Sequence, residues 1–379
     1  MNDKFEREIS PWICNLMSFN SVEELKKNLF SGFKGFFSLP KKIAIIGASS
    51  LVGGLIDELF EKGIIVDSIF DHNIKKHGTI FKNIQIRPFE EIATLESDIP
   101  LLLGTHRLTN LYKILKKMGF QHIWPFPLFY FYDVHFKPHP FYKGLLEDLF
   151  KNRENIQWLY KALFDKKSKR ILDAIVGFRL TFNPELLDEL IDPFPYFSKD
   201  IFNFGNEEVL IDGGAYNGDS IRLFKEVTSD KFKRIISFEP STTIFKTLKK
   251  TFYNDYRIIP TNACLFSENT TLLFDDTEER GSAISISRGK KCQAVNIDSI
   301  PYADDITFIK LNIEGAEPDA ISGAARTIRE RKPGLAVAVY HRPDHLWSLA
   351  KHIRRINSDY RLYLRQHDGG IIETVLYAI

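Results

Sequence analysis

Twice in this chain an apolar run breaks into a glycine-rich turn and passes straight into an amphipathic stretch: IAIIGASSLVGG (Ile43–Gly54) and VLIDGGAYNGDS (Val209–Ser220). A strand that feeds a helix through such a turn opens a βαβ unit, and strands joined by helices pair in parallel beneath helical layers. The alternation continues around each turn. In the first region KIAIIG, IIVDSIFD, IPLLLGT and QHIWPF read as strands, with LVGGLIDELFEKG and LTNLYKILKKMG as helices between them. In the second, EVLID, RIISFEP, RIIPTNACLF, ITFIKLNIE and GLAVAVYH read as strands separated by amphipathic helical stretches. The β-prone pieces TTLLFDD, SAISI and KCQAVNI interrupt that series, and YRLYLRQ and ETVLYAI close it as an antiparallel hairpin around HDGGI.

At 379 residues the chain is long for a single core. The expected fold class is therefore α/β, with two doubly wound Rossmann-like domains joined by a helical segment. The expected boundaries are a helical lead-in at 1–39, a Rossmann-like nucleotide-binding domain at 40–136, a helical linker at 137–205 and the second α/β domain at 206–379. In the lead-in, Ser21 with Glu24 three positions on reads as a helix start.

Lys and Arg number 51 against 49 Asp and Glu, a net charge of +2, which gives no electrostatic argument for nucleic acid or an anionic membrane. Cys14, Cys264 and Cys292 are far apart, lack metal-type spacing and suit unpaired thiols in a reducing compartment. The amino terminus is charged and lacks the apolar core of a signal peptide. The aromatic run WPFPLFYFYDVHF is broken by Pro125 and Pro127, whereas a membrane span needs about 20 apolar residues, so it reads as buried packing. A cytoplasmic location is expected. His135 and His139 in HFKPHPFY have no clear ligand spacing, and no metal is expected.

The two turns differ in charge. A dinucleotide site sets pyrophosphate against a helix amino end, and the Asp212 carboxylate at the close of its strand would repel it. S-adenosylmethionine carries an ammonium and a sulfonium in place of phosphate, so that acid favours it over NAD. Gly213, Gly214 and Gly218 let backbone approach a ligand closely, and Glu239, ending the next strand, can accept from both ribose hydroxyls. The upstream turn has no acid before its glycine, so phosphate is acceptable there, yet its spacing is not G-x-G-x-x-G. Gly47, Ala48, Ser49 and Ser50 with Asp71 at the next strand end form its candidate nucleotide site.

In order, LIDGGAYNGDS, SFEP, NACLFSE, NIDSI, FIKLNIEGAEPDAISGA and KPGLAVAVYHRPDHL resemble the FkbM family of S-adenosylmethionine-dependent methyltransferases, from about Phe202 to the carboxyl terminus. The resemblance implies a class I methyltransferase fold, with a seven-stranded sheet whose last strand is antiparallel, and methylation of oxygen, often on sugars or natural products. Over the matched motifs it implies cofactor binding by Asp212, Gly213, Gly214, Ala215, Asn217, Gly218, Ser220, Glu239, Pro240, Asn262, Ala263 and Asn312. Members commonly have Asp where this chain has Asn312, which keeps the shape and hydrogen bonding without the charge and leaves metal dependence open. Residues from about Lys41 to Phe131 are similar to the nucleotide-sugar-binding domain of bacterial sugar acetyltransferases, which implies a sugar nucleotide as a partner there.

Methyl transfer to a hydroxyl needs alignment and removal of a proton. Lys310, Asn312 and Glu314 alternate along one strand, and His341 ends the strand expected beside it, with an ordinary pKa suited to a base near neutrality. His341, Glu314 and Lys310 are the candidate catalytic residues, while Glu317 at a helix start reads as structural. The expected acceptor is a saccharide or related metabolite, and the oligomeric state stays open. Two other readings stand beside this one: a non-catalytic nucleotide-binding or assembly module, and a bifunctional enzyme with a nicotinamide-dependent first domain. Intact Asp212 and Glu239 disfavour the former, and the first domain's glycine spacing disfavours the latter.

Overall fold

The structure is a computed structural model that describes residues 10–33, 35–133, 135–275, 283–285 and 289–379. The charged start of the amino terminus (1–9), the last residue of TTLLFDD and both ends of SAISI lie outside the described residues. The chain divides into two compact units. One comprises Met1–Gln157, Arg170–Ile191 and Asp368–Ile372, the other Trp158–Lys169, Asp192–His367 and Glu373–Ile379. The helical stretch 137–205 is thus shared between the units, with helices Leu145–Lys151, Arg153–Ala162 and Lys166–Thr181.

In the first unit, strands β1 (Lys42–Ile46), β2 (Ile65–Asp71), β3 (Ile80–Phe81), β4 (Ile84–Pro88), β5 (Leu101–Leu103) and β6 (Ile123–Pro125) form a sheet in the order β3-β4-β2-β1-β5-β6. All neighbours pair in parallel except the β3–β4 hairpin at the edge. Central β1 is buried from Ile43 to Ile46, as an apolar strand covered on both faces must be. The aromatic run is interior as its composition predicts: Trp124, Phe126, Phe129 and Phe131 are buried, and Phe36 packs edge-on against Trp124 and Phe129. Ser21 accepts the Glu24 amide and opens helix Val22–Ser31.

In the second unit, strands β7 (Val209–Gly213), β8 (Arg234–Phe238), β9 (Ile258–Thr261), β14 (Phe308–Leu311), β15 (Gly334–Ala338), β16 (Leu362–Gln366) and β17 (Thr374–Ala378) form a seven-stranded sheet in the order β16-β17-β15-β14-β7-β8-β9. The last strand, β17, inserts between β15 and β16 and runs antiparallel to both. Between β9 and β14 the chain builds a separate four-stranded sheet from β10 (Cys264–Leu265), β11 (Thr270–Asp275), β12 (Ala283–Ser285) and β13 (Lys290–Val295). Edge strand β16 buries Arg365, whose guanidinium meets Asp165 at 2.7 Å, Asp200 at 2.9 Å and the Ser168 hydroxyl at 2.8 Å. A buried arginine needs such partners, and these tie residues from before and after helix Lys166–Thr181 to the sheet.

Candidate functional site

The register of the second sheet sets the site. β7 and β14 pair in parallel, but the order in which strands are added reverses between them, and in a doubly wound fold a crevice opens at the carboxyl ends of the strands there. The turn after β7 is pinned to its neighbours: Gly214 and Ala215 donate to the Phe238 carbonyl, and Gly218 donates to Ala215. Gly214 has φ +77°, and a Cβ on it would lie 2.0 Å from the Asn312 carbonyl oxygen, so only glycine fits. Beyond it, Asn217 accepts the Asp219 amide, and helix Asp219–Val227 begins.

Asp212 and Lys310 face each other across β7 and β14. Both are buried, and their charges meet at 2.9 Å. The other Asp212 oxygen accepts the Ser220 hydroxyl at 2.6 Å, and Lys310 also donates to the carbonyls of Gly213 at 3.0 Å and Gly214 at 2.8 Å. The cation that Asp212 meets is supplied by the protein, and Lys310, expected among the catalytic groups, clamps the glycine turn from inside the sheet.

Glu239, just past β8, accepts the Tyr216 amide on one oxygen and the Ser241 amide on the other, each at 2.9 Å. Burial raises its pKa, and the two amides and the nearby Lys310 oppose that rise. One donor per oxygen leaves the carboxylate further acceptor capacity, which is the chemistry needed to hold paired ribose hydroxyls. Asn262 fixes the loop by donating to the carbonyls of Glu239 at 2.8 Å and Pro240 at 3.0 Å, and Ala263 is buried beside it.

At the ends of β14 and β15 the structure brings Glu314 and His341 together, with Glu314 Oε2 3.7 Å from His341 Nε2. Glu314 lies past its strand end with φ +54°. Glu317, which the sequence reading left as a helix start, is fully buried: one oxygen is 2.8 Å from His341 Nδ1 and takes the Ile313 amide at 2.8 Å, and the other is 3.4 Å from His345 Nδ1. Burial alone would lower the His341 pKa, but the carboxylates of Glu317, Glu314 and Glu373 outweigh it and push it up to about 9. The ordinary histidine value expected from sequence therefore does not apply. Burial also disfavours a charged Glu317, yet the two histidines hold it well below the usual carboxylate range.

Asn312 uses both ends of its amide. Its nitrogen donates to the Tyr196 hydroxyl at 2.7 Å, and its oxygen accepts the Tyr340 hydroxyl at 3.3 Å. His345, Tyr196 and Tyr340 were missed in the sequence, and Glu317 was read only as structural. The IEGAE segment was the signal for Glu317, and Tyr196 was touched only by the resemblance of PYFSKDIF to the helical preamble of longer family members, which gave it no role.

In the first unit, the Ala48 amide donates to Asp71 at 2.9 Å and Ser49 donates to the Gly104 carbonyl at 3.0 Å. Gly47 has φ +100°, and Ser50 begins helix Ser50–Glu61. Lys76 bridges the Ala48 carbonyl at 2.6 Å and Asp71 at 3.0 Å. Asp71 thus reaches back onto the turn as well as standing at the mouth of its strand. Among the described residues no group of three or more His, Cys, Asp or Glu could hold a metal ion, and no helix is long and apolar enough to cross a membrane.

A seven-stranded sheet in this order, with a reversed β17, a pinned glycine turn after β7 and an acid after β8, is the class I methyltransferase arrangement. Residues 212–363 match the family model described as Methyltransferase FkbM domain. The crystal structure of Methyltransferase FkbM from Methylobacillus flagellatus KT shares the fold over 93% of this chain and 92% of that one, with a TM-score of 0.71 and 24% identity. Aeropyrum pernix fibrillarin in complex with natively bound S-adenosyl-L-methionine aligns at 12% identity over 52% of this chain and 74% of its own, with a TM-score of 0.32. Precorrin-6y C5,15-methyltransferase from Geobacter metallireducens GS-15 aligns at 12% identity over 46% and 80%, with a TM-score of 0.29. No curated protein sequence matches the chain.

Proposed function

We propose that the second unit is an S-adenosylmethionine-dependent O-methyltransferase whose acceptor is a hydroxyl of a saccharide or related polyhydroxylated metabolite. The observation that carries this reading is the Glu314–His341–Glu317 array at the ends of adjacent strands, beside a glycine turn and Glu239. Glu239 would hold the cofactor's ribose, with the turn from Gly213 to Gly218 as the backbone surface around it and Asn262 keeping the Glu239 loop in place. S-adenosylmethionine, when bound, supplies a methyl group already activated by its sulfonium. The chain must then align the acceptor oxygen and take its proton.

Glu317 holds the imidazole from the Nδ1 side, and Nε2, on the Glu314 side, is the nitrogen assigned to take the acceptor proton. With its pKa at about 9, His341 is mostly cationic at neutral pH, and its basic form grows as the pH rises toward that value. Glu314 accepts a hydrogen bond from the acceptor or the imidazole and steadies the cation that forms. Incubating the full chain with methyl-labelled S-adenosylmethionine and fractionated glycans or sugar nucleotides tests the reading, because label should appear in a hydroxyl-bearing acceptor.

The first unit is proposed to take a sugar nucleotide in preference to NAD. The support is Lys76, whose ammonium has three donors, two of them on Ala48 and Asp71, at the mouth of a turn with no acid before its glycine.

A further inference from the structure

Tyr196 lies outside the segment that matches the methyltransferase family, yet its side chain ends at the centre of the second unit. Its ring lies 5.1 Å from the Lys310 ammonium, the same group that clamps the carbonyls of Gly213 and Gly214. Its hydroxyl accepts from the Asn312 amide at 2.7 Å and donates to Glu373 at 3.3 Å. Asn312 in turn accepts from Tyr340, whose ring centroid is 4.4 Å from that of His341. One side chain therefore touches both the support of the glycine turn and the chain of contacts that ends on the imidazole.

The backbone points the same way. Tyr196 has φ +68°, a left-handed conformation that a bulky residue adopts only where its surroundings demand it. Buried aromatic packing alone would not need the hydroxyl, because burial of an O–H without partners is unfavourable and phenylalanine would fill the same space. Here the hydroxyl has a donor on one side and an acceptor on the other. Asn312 matters for the same reason: its amide supplies a donor to Tyr196 and an acceptor to Tyr340, and a carboxylate would supply no donor.

We propose that Tyr196 is a positioning residue for methyl transfer, its ring seating Lys310 and its hydroxyl orienting His341 through Asn312 and Tyr340. This rests on the reading of the second unit as an O-methyltransferase, and its test includes a measurement that needs no acceptor. In Tyr196→Phe the ring stays and the hydroxyl goes. The expected result is S-adenosylmethionine affinity within twofold of the unaltered protein by calorimetry, and a turnover lower by about five- to tenfold, the scale of one lost hydrogen bond. With histidine labelled at Cε1, the His341 resonance, assigned by its loss in His341→Gln, should move at fixed pH. Asn312→Leu should move the same resonance, and Tyr196→Leu, which also removes the ring from Lys310, should weaken S-adenosylmethionine as well. A folded Tyr196→Phe whose His341 resonance and turnover both match the unaltered protein overturns the proposal. Failure of the unaltered protein to methylate any hydroxyl would defeat the functional reading instead, and the resonance measurement would still decide the positioning.

Discussion

The Nδ1 of His341 lies 2.8 Å from Oε1 of Glu317, and both side chains are buried. An unpaired charge at that depth would be costly, so each group keeps the other ionised. His341 is raised from 6.5 to about 9, which means that the folded protein holds this proton more tightly than the unfolded chain. The resulting stability is fully present below about pH 6.5 and is lost as the pH rises through about 9. Urea unfolding at pH 6 and pH 10 should show a fall of about 3 kcal/mol that His341→Gln lacks. Equal slopes in both proteins would contradict the pairing.

The same proton sets the pH dependence of turnover. If His341 is the base, the rate should climb with pH toward about 9, because the neutral imidazole is the active form. Glu314→Gln removes one of the charges that favour the imidazolium, so the rising limb should shift to lower pH while maximal turnover falls. A pH–rate profile of the two proteins measures this.

Asp212 and Lys310 form a pair that is costly to split. Removing either partner alone leaves a buried charge, at about 3–5 kcal/mol, whereas an apolar pair of similar volume avoids that cost. Asp212→Leu with Lys310→Met should therefore be more stable than either single change in urea unfolding. Additive losses across the cycle would show that the two charges do not depend on each other.

Cys264 and Cys292, distant in sequence, come together in the small sheet with their sulfurs 3.2 Å apart beside Phe274 and Ala294. Treatment with the azo oxidant diamide should remove two of the three thiols and two hydrogens in mass, with dithiothreitol restoring both. Cys292→Ser should keep its two remaining thiols under the same conditions.

These residues mark where sequence reading stops. The two strand–turn–helix units were legible because apolar periodicity and glycine turns are local, and the reversed last strand followed from the family motifs. The β3–β4 hairpin was not read. Its two turn residues, Lys82 and Asn83, both adopt positive φ, but the strong Asn-Gly or Asp-Gly signal is missing. The Glu314–His341 pairing was legible from two strand ends expected side by side. The partner of Asp212 was not, since Lys310 is brought opposite only by the β7–β14 register, and Tyr196 reaches Asn312 from a segment before the matched methyltransferase domain.

The most direct test of the account follows methyl transfer from labelled S-adenosylmethionine to polyhydroxylated acceptors, alongside calorimetric binding of the cofactor, in the unaltered chain, His341→Ala and Glu239→Ala. Loss of the base should slow transfer by about 10²–10⁴-fold while the cofactor binds as before, and Glu239→Ala should weaken binding itself. Unchanged transfer in His341→Ala, or full cofactor affinity in Glu239→Ala, would contradict it.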